Sequence, residues 1–175
     1  MSPSPPAFAP SARAAPALAW ARVGAGRLAL RGRPKLALVP RLGALGCDRL
    51  VTLLSGREGA LAIGRAAEAG GLAWTWTPLD NGSAPEGAAH RALARTAVEL
   101  GARIGAGEGV LIHCAAGLHR TGMLAYAVLR SLGRSPEAAR AAIAEARRET
   151  LEAMREQHFA WGDALIDDGV VRASP

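Results

Sequence analysis

Short apolar runs alternate along this chain with longer stretches in which apolar residues recur at helical spacing. Leu50-Val51-Thr52-Leu53-Leu54 has no helical period and stops at Ser55-Gly56, the pattern of a buried strand. Arg27-Leu28-Ala29-Leu30 reads as a second strand, ahead of a loop punctuated by Gly32 and Pro34. Residues 72–79, with Trp74 and Trp76 flanking Thr75, read as a third, and Val110-Leu111-Ile112 leads a fourth that ends at Cys114. Between them, residues 36–45 suit a short helix or turn with Leu42 and Leu45 packed inward, and residues 58–69 a helix closed by Gly70-Gly71. Pro85-Glu86, with Ser83 or Ala84 as cap, starts a helix running to about Arg103, its apolar stripe made by Ala92, Leu93, Ala97 and Leu100. Helices near 120–132, 135–148 and 150–168 follow, the second announced by Ser135-Pro136-Glu137. The alternation predicts a three-layer α/β/α domain, with helices on both faces of a mainly parallel central sheet of about four or five strands.

Composition sets the scale. A chain of 175 residues with 50% hydrophobic content suits one domain, expected over residues 18–170, behind a Pro/Ala-rich tail over 1–17 that reads as disordered. The net charge of +6 is lopsided: Arg13, Arg22, Arg27, Arg31, Arg33, Lys35 and Arg41 all precede the first acidic residue, Asp48. A basic arm of this kind can meet an anionic partner, but arginine dominates the basic residues throughout, as compositional bias produces, and no nucleic-acid partner is expected. Two cysteines, Cys47 and Cys114, are too few for a disulfide framework. With no secretory pattern and no apolar run long enough to span a membrane, the expectation is a cytoplasmic monomer.

The candidate chemistry concentrates in His113-Cys114-Ala115-Ala116-Gly117-Leu118-His119-Arg120-Thr121. A strand, a glycine-bearing loop and a helix N-terminus make an oxyanion site: successive backbone N–H groups can surround a phosphate, and the helix dipole adds positive potential. The same field favours thiolate over thiol at Cys114. Arg120 can offer a two-pronged donor fork to two phosphate oxygens.

This string resembles the active-site signature of the cysteine-dependent protein tyrosine phosphatases, His-Cys-x-x-Gly-x-x-Arg-Ser/Thr, and its surroundings resemble the compact dual-specificity branch over roughly residues 23–165. The resemblance implies hydrolysis of a phosphomonoester in two steps through a phosphocysteine, with neither metal nor cofactor. Cys114 would be the nucleophile, and residues 115–120 (Ala115, Ala116, Gly117, Leu118, His119, Arg120) would cradle the phosphate. Thr121 would hydrogen-bond the sulfur and help it leave, a role compatible with serving as an ordinary helix cap. His113 would order the loop, and His119 would line the pocket mouth or stand solvated.

A departing alkoxide or phenolate needs a proton, so a carboxylic acid must come from elsewhere. Thr77-Pro78-Leu79-Asp80-Asn81-Gly82 resembles the family's general-acid loop, which makes Asp80 the candidate, with Glu86 in reserve; Asp80-Asn81-Gly82 also reads as a plain turn. Gln157 sits in a segment faintly resembling a glutamine-bearing helix that orients water in some phosphatases, although plain helical surface is the preferred reading. Cys47 suits a buried turn better than the protective disulfide some related enzymes form with their nucleophile. The expected substrate is a phosphorylated protein or a small phosphomonoester. Ala116 and Leu118 stand where lipid phosphatases of the superfamily often carry lysine, which disfavours highly charged inositol headgroups.

Overall fold

The structure, a computed structural model, describes residues 17–167. All but the last residue of the tail read over 1–17, Arg13 of the basic segment and the final residue of the 150–168 helix lie outside the described residues.

Five strands form one sheet: β1 (Ala21–Val23), β2 (Gly26–Arg31), β3 (Arg49–Thr52), β4 (Ala73–Trp76) and β5 (Gly109–His113), in the order β1-β2-β5-β3-β4. Only the β1–β2 hairpin is antiparallel; β2, β5, β3 and β4 run parallel, with Leu30 opposite Ile112 and Val51 opposite Ile112 from the other side. The expected mainly parallel α/β sandwich is the fold observed. β1 is an addition to it. Its three residues, with Arg22 exposed between buried Ala21 and Val23, are too short to carry a readable period.

Side chains alternate across the sheet and feed two cores. On one face Ala29, Leu50 and Leu111 meet Val39 and Leu42 from two 3₁₀ turns (Leu36–Arg41 and Gly43–Leu45) and Ala60, Ile63 and Ala67 from α1 (Ala60–Ala69). On the other, Leu28, Leu30, Val51, Val110 and Ile112 meet four helices: α2 (Gly87–Gly105), α3 (His119–Ser131), α4 (Pro136–Ala153) and α5 (Glu156–Asp167). α3 is buried continuously from Thr121 to Leu129, so the helix that follows Cys114 is the axis of the larger core.

Two element boundaries depart from expectation for physical reasons. α2 starts at Gly87, not at Pro85, because Ser83, Ala84 and Pro85 remain part of the loop that walls a recess beside Asp80, and Asn81 Oδ1 accepts the Ser83 N–H at 2.8 Å. α4 continues to Ala153, past the break expected near 148–150, but is interrupted at Arg147, whose backbone is extended (φ −167°, ψ 106°). That interruption aims the Arg147 side chain at the loop after Cys114, as described next.

Candidate active site

Because β2, β3, β4 and β5 are parallel, their C-terminal ends emerge on one edge, where ligands of open α/β sheets bind. Cys114 leaves β5 there, 3% exposed, at the floor of a cavity of about 310 Å³ lined by Asn81, Gly82, Cys114, Ala115, Ala116, Leu118, His119 and Arg120. Gly117 is beneath this lining. Its N–H donates to Cys114 Sγ at 3.2 Å, and the Thr121 hydroxyl donates to the same sulfur at 3.1 Å. Burial by itself would raise the thiol pKa, but the Thr121 hydroxyl and the N–H groups of Gly117, Thr121 and Leu118 outweigh it, and the net effect is a lowered pKa.

Gly117 is at φ +73°, and a Cβ there would strike the Arg31 carbonyl and the Arg147 guanidinium. The outer side of the loop is fastened through its carbonyls. Arg147 Nη1 donates to Ala116 O at 2.8 Å and Gly117 O at 3.0 Å, the Thr150 hydroxyl donates to Gly117 O at 2.7 Å, and the Arg33 N–H donates to Ala115 O at 2.9 Å. Carbonyls held outward leave the loop N–H groups free to face the sulfur and an incoming anion.

Arg120 is oriented by a residue that sequence reasoning missed. Its Nη1 and Nη2 donate to the two Glu58 carboxylate oxygens at 3.0 and 2.9 Å, and Nη1 also donates to Leu79 O at 2.8 Å. Of the five guanidinium N–H groups, Nε–H and one on Nη2 are left over, a parallel pair on one side of the fork. Glu58 is pulled down to about 2, chiefly by its hydrogen bonds to Arg120, so the pair stays ionised at neutral pH. Glu58 could have been suspected from its place just after a buried strand at the binding edge.

His113, expected to order the loop, is fully buried within a line of hydrogen bonds. Trp74 Nε1–H donates to Thr52 Oγ1 at 3.0 Å, Thr52 Oγ1 is 2.9 Å from His113 Nε2, and His113 Nδ1 is 3.4 Å from Cys114 O. Indole can only donate and a carbonyl can only accept, so the Thr52 hydroxyl donates to Nε2 and Nδ1 carries the proton. Burial first, aided by the nearby Arg31, Arg33 and Arg120 charges, depresses the imidazole to about 4 and keeps it neutral.

The structure does not bring every candidate to the cavity. Asp80 is exposed, and its recess, shared with Pro78, Asn81 and Pro85, adjoins the cavity through Asn81 without the Asp80 side chain entering it. Glu86 is exposed at the N-cap of α2, and Gln157 is exposed on α5. Cys47 is buried in the opposite core, its thiol pushed up to about 12 by burial first and by Asp48 second. It sits by Gly109, to whose carbonyl Asp48 N–H donates, at the far end of β5 from Cys114, roughly 16 Å away along the strand; no disulfide can close that distance. Among the described residues no cluster of three His, Cys, Asp or Glu side chains could hold a metal ion, and no helix is long and apolar enough to cross a membrane.

Residues 82–162 match the tyrosine phosphatase family. This segment is where the chain is similar to that family. It contains the whole cysteine loop, together with Arg147, Thr150 and His158, while Glu58 and Asp80 lie ahead of it. A search of curated proteins gives no match. Solved phosphatase structures resemble the fold along nearly its full length. A kinase-associated phosphatase with serine in place of its catalytic-site cysteine has 17% identity, covers 90% of this chain and 97% of its own, and has a TM-score of 0.69. PTPMT1 has 21% identity, coverage of 88% and 98%, and a TM-score of 0.68. Human DUSP28 has 17% identity, coverage of 88% and 99%, and a TM-score of 0.64. Residues 82–162 are thus similar to the tyrosine phosphatase family, and the fold is the one shared by these solved phosphatases.

Proposed function

We propose that the chain hydrolyses phosphomonoesters through a phosphocysteine, acting on phosphotyrosine, phosphoserine or phosphothreonine in proteins. The observation that carries this reading is the sulfur of Cys114, which accepts from the Thr121 hydroxyl and the Gly117 N–H, has its thiol pKa lowered by these donors, and faces the Arg120 cation. In the first step the thiolate forms a bond to phosphorus as the ester P–O bond breaks. Arg120, through Nε and Nη2, grips two equatorial oxygens, and Asp80 gives its proton to the departing oxygen. In the second step water attacks phosphorus, Asp80 takes a proton from it, and the S–P bond breaks to return the thiolate, which Thr121 stabilises as it leaves. For Asp80 to act, its side chain must turn from its recess toward the cavity, one residue away along the loop.

A phosphoinositide substrate has one specific support: a structure of PTPMT1 in complex with PI(5)P, 20% identical with a TM-score of 0.69, has the same fold. Against it, Ala116 and Leu118 put no positive charge at the cavity wall. The deciding experiment is a metal-free assay over phosphopeptides, phosphoinositides and nucleotides, with Cys114→Ser as control. We expect turnover of phosphopeptides, insensitive to EDTA and abolished by Cys114→Ser while phosphate binding persists. Activity surviving in the serine variant would overturn the phosphocysteine, and a preference for phosphoinositides would overturn the protein substrate alone.

A further inference from the structure

The loop that carries Asp80 is fastened on both sides of it. Before it, Leu79 O accepts from Arg120 Nη1. After it, Gly82 O lies 2.7 Å from His158 Nε2. His158 is 1% exposed, and its other ring nitrogen, Nδ1, accepts the Arg155 N–H at 3.0 Å. An amide N–H can only donate, so Nδ1 is the acceptor and Nε2 carries the proton that Gly82 O receives; the ring is neutral. Burial, and then the neighbouring His119 and Arg155, also disfavour its charged form. One imidazole thus joins the start of α5 to the loop, leaving only Asp80 and Asn81 between the two fastenings. Gly82 also abuts His119, whose ring is 5.4 Å from that of His158, so the second fastening is at the cavity wall itself.

We propose that His158 is a positioning residue for proton donation: by holding Gly82 O it sets how far the Asp80 loop stands from Cys114. The inference rests on the reading of Asp80 as the acid. A misplaced acid slows protonation of the leaving group, and the step in which Asp80 activates water is common to every ester, so the loss that depends on the leaving group appears in kcat/KM for poor leaving groups.

The test uses the two amide replacements for histidine, each of which keeps a hydrogen-bonding atom near one of the two ring nitrogens. His158→Gln retains a donor near the Nε2 position, within reach of Gly82 O. His158→Asn retains an acceptor near Nδ1 for the Arg155 N–H and loses the loop. We expect His158→Asn to lower kcat/KM about tenfold on an alkyl or phenyl phosphate and to change it little on an activated aryl phosphate; His158→Gln stays close to the parent. Retained turnover of the activated ester serves as the folding control. Added to Asp80→Asn, His158→Asn should cost nothing more. Equal losses on both esters, damage from Gln as large as from Asn, or additivity with Asp80→Asn would each overturn the inference while Asp80→Asn still shows its own selective loss. An Asp80→Asn variant without selective loss would overturn the acid assignment and this inference together.

Discussion

Enclosure alone makes a thiolate unfavourable at Cys114, and only the donors around Sγ reverse that preference. Thr121 is the strongest of them, so Thr121→Val should move the pH midpoint of Cys114 alkylation by iodoacetate upward; an unmoved midpoint would mean that the backbone N–H groups suffice. Cys47, buried and pushed up to about 12, should label far more slowly in either protein. Arg120 depends on its partner in a different way. Glu58 occupies two of the guanidinium N–H groups and so dictates which edge faces the cavity. Glu58→Gln keeps the size but weakens the grip, and kcat/KM should fall about 10–10²-fold, in line with misplacement of a transition-state ligand; an unchanged kcat/KM would leave Arg120 oriented by Leu79 O. Cys114, Arg120 and Thr121 are legible in the sequence because they occupy one short loop whose geometry is local. Thr150 and His158 are not, and Glu58 shows only in its place after a buried strand, since each meets the site only once the fold has brought distant segments to one edge.

At the scale of elements, the loop is as much a product of α4 as of β5. The break in α4 at Arg147 gives up helical hydrogen bonding and swings the guanidinium onto Ala116 O and Gly117 O, next to the Thr150 hydroxyl. The sequence shows this as a boundary between helices near 148–150; it does not show that the break falls at Arg147, that α4 then runs on to Ala153, or that α5 begins only at Glu156. Arg147→Met and Thr150→Val should each lower activity, and together they should loosen the loop enough to expose Cys114 to faster alkylation, a change that a purely global loss of stability would accompany with a fall in melting temperature. Gly117→Ala should do worse, because it meets both a left-handed backbone and a steric clash with Arg31. The strands were readable for the opposite reason. β3 and β5 lie in the middle of a parallel sheet, buried on both faces, so their sequences are continuous apolar runs that need no tertiary knowledge to recognise.

At the scale of the molecule, the line from Trp74 through Thr52 and His113 to Cys114 O crosses three strands, β4, β3 and β5, and makes the neutral imidazole part of how the sheet holds the loop. This has a consequence for stability in acid. The folded His113 is depressed to about 4, below its ordinary 6.5. Between those values the unfolded chain binds a proton that the folded chain does not, so stability is complete above about 6.5 and falls as pH drops toward 4. At 1.36 kcal/mol per unit the loss is on the order of 3 kcal/mol, a large share of a marginal stability. Glu58 acts with the same sign in a different window, its contribution being lost only as pH falls from 4.5 toward about 2. His158, also depressed, adds to the slope just below neutrality, so the absolute curve does not isolate His113. The difference between proteins does: urea unfolding of the parent and of His113→Asn from pH 7 to pH 4 should show the parent losing stability more steeply, with the two curves converging toward pH 4. Parallel curves would mean that folding does not lower the His113 pKa, and the neutral imidazole in the line to Cys114 would have to be given up.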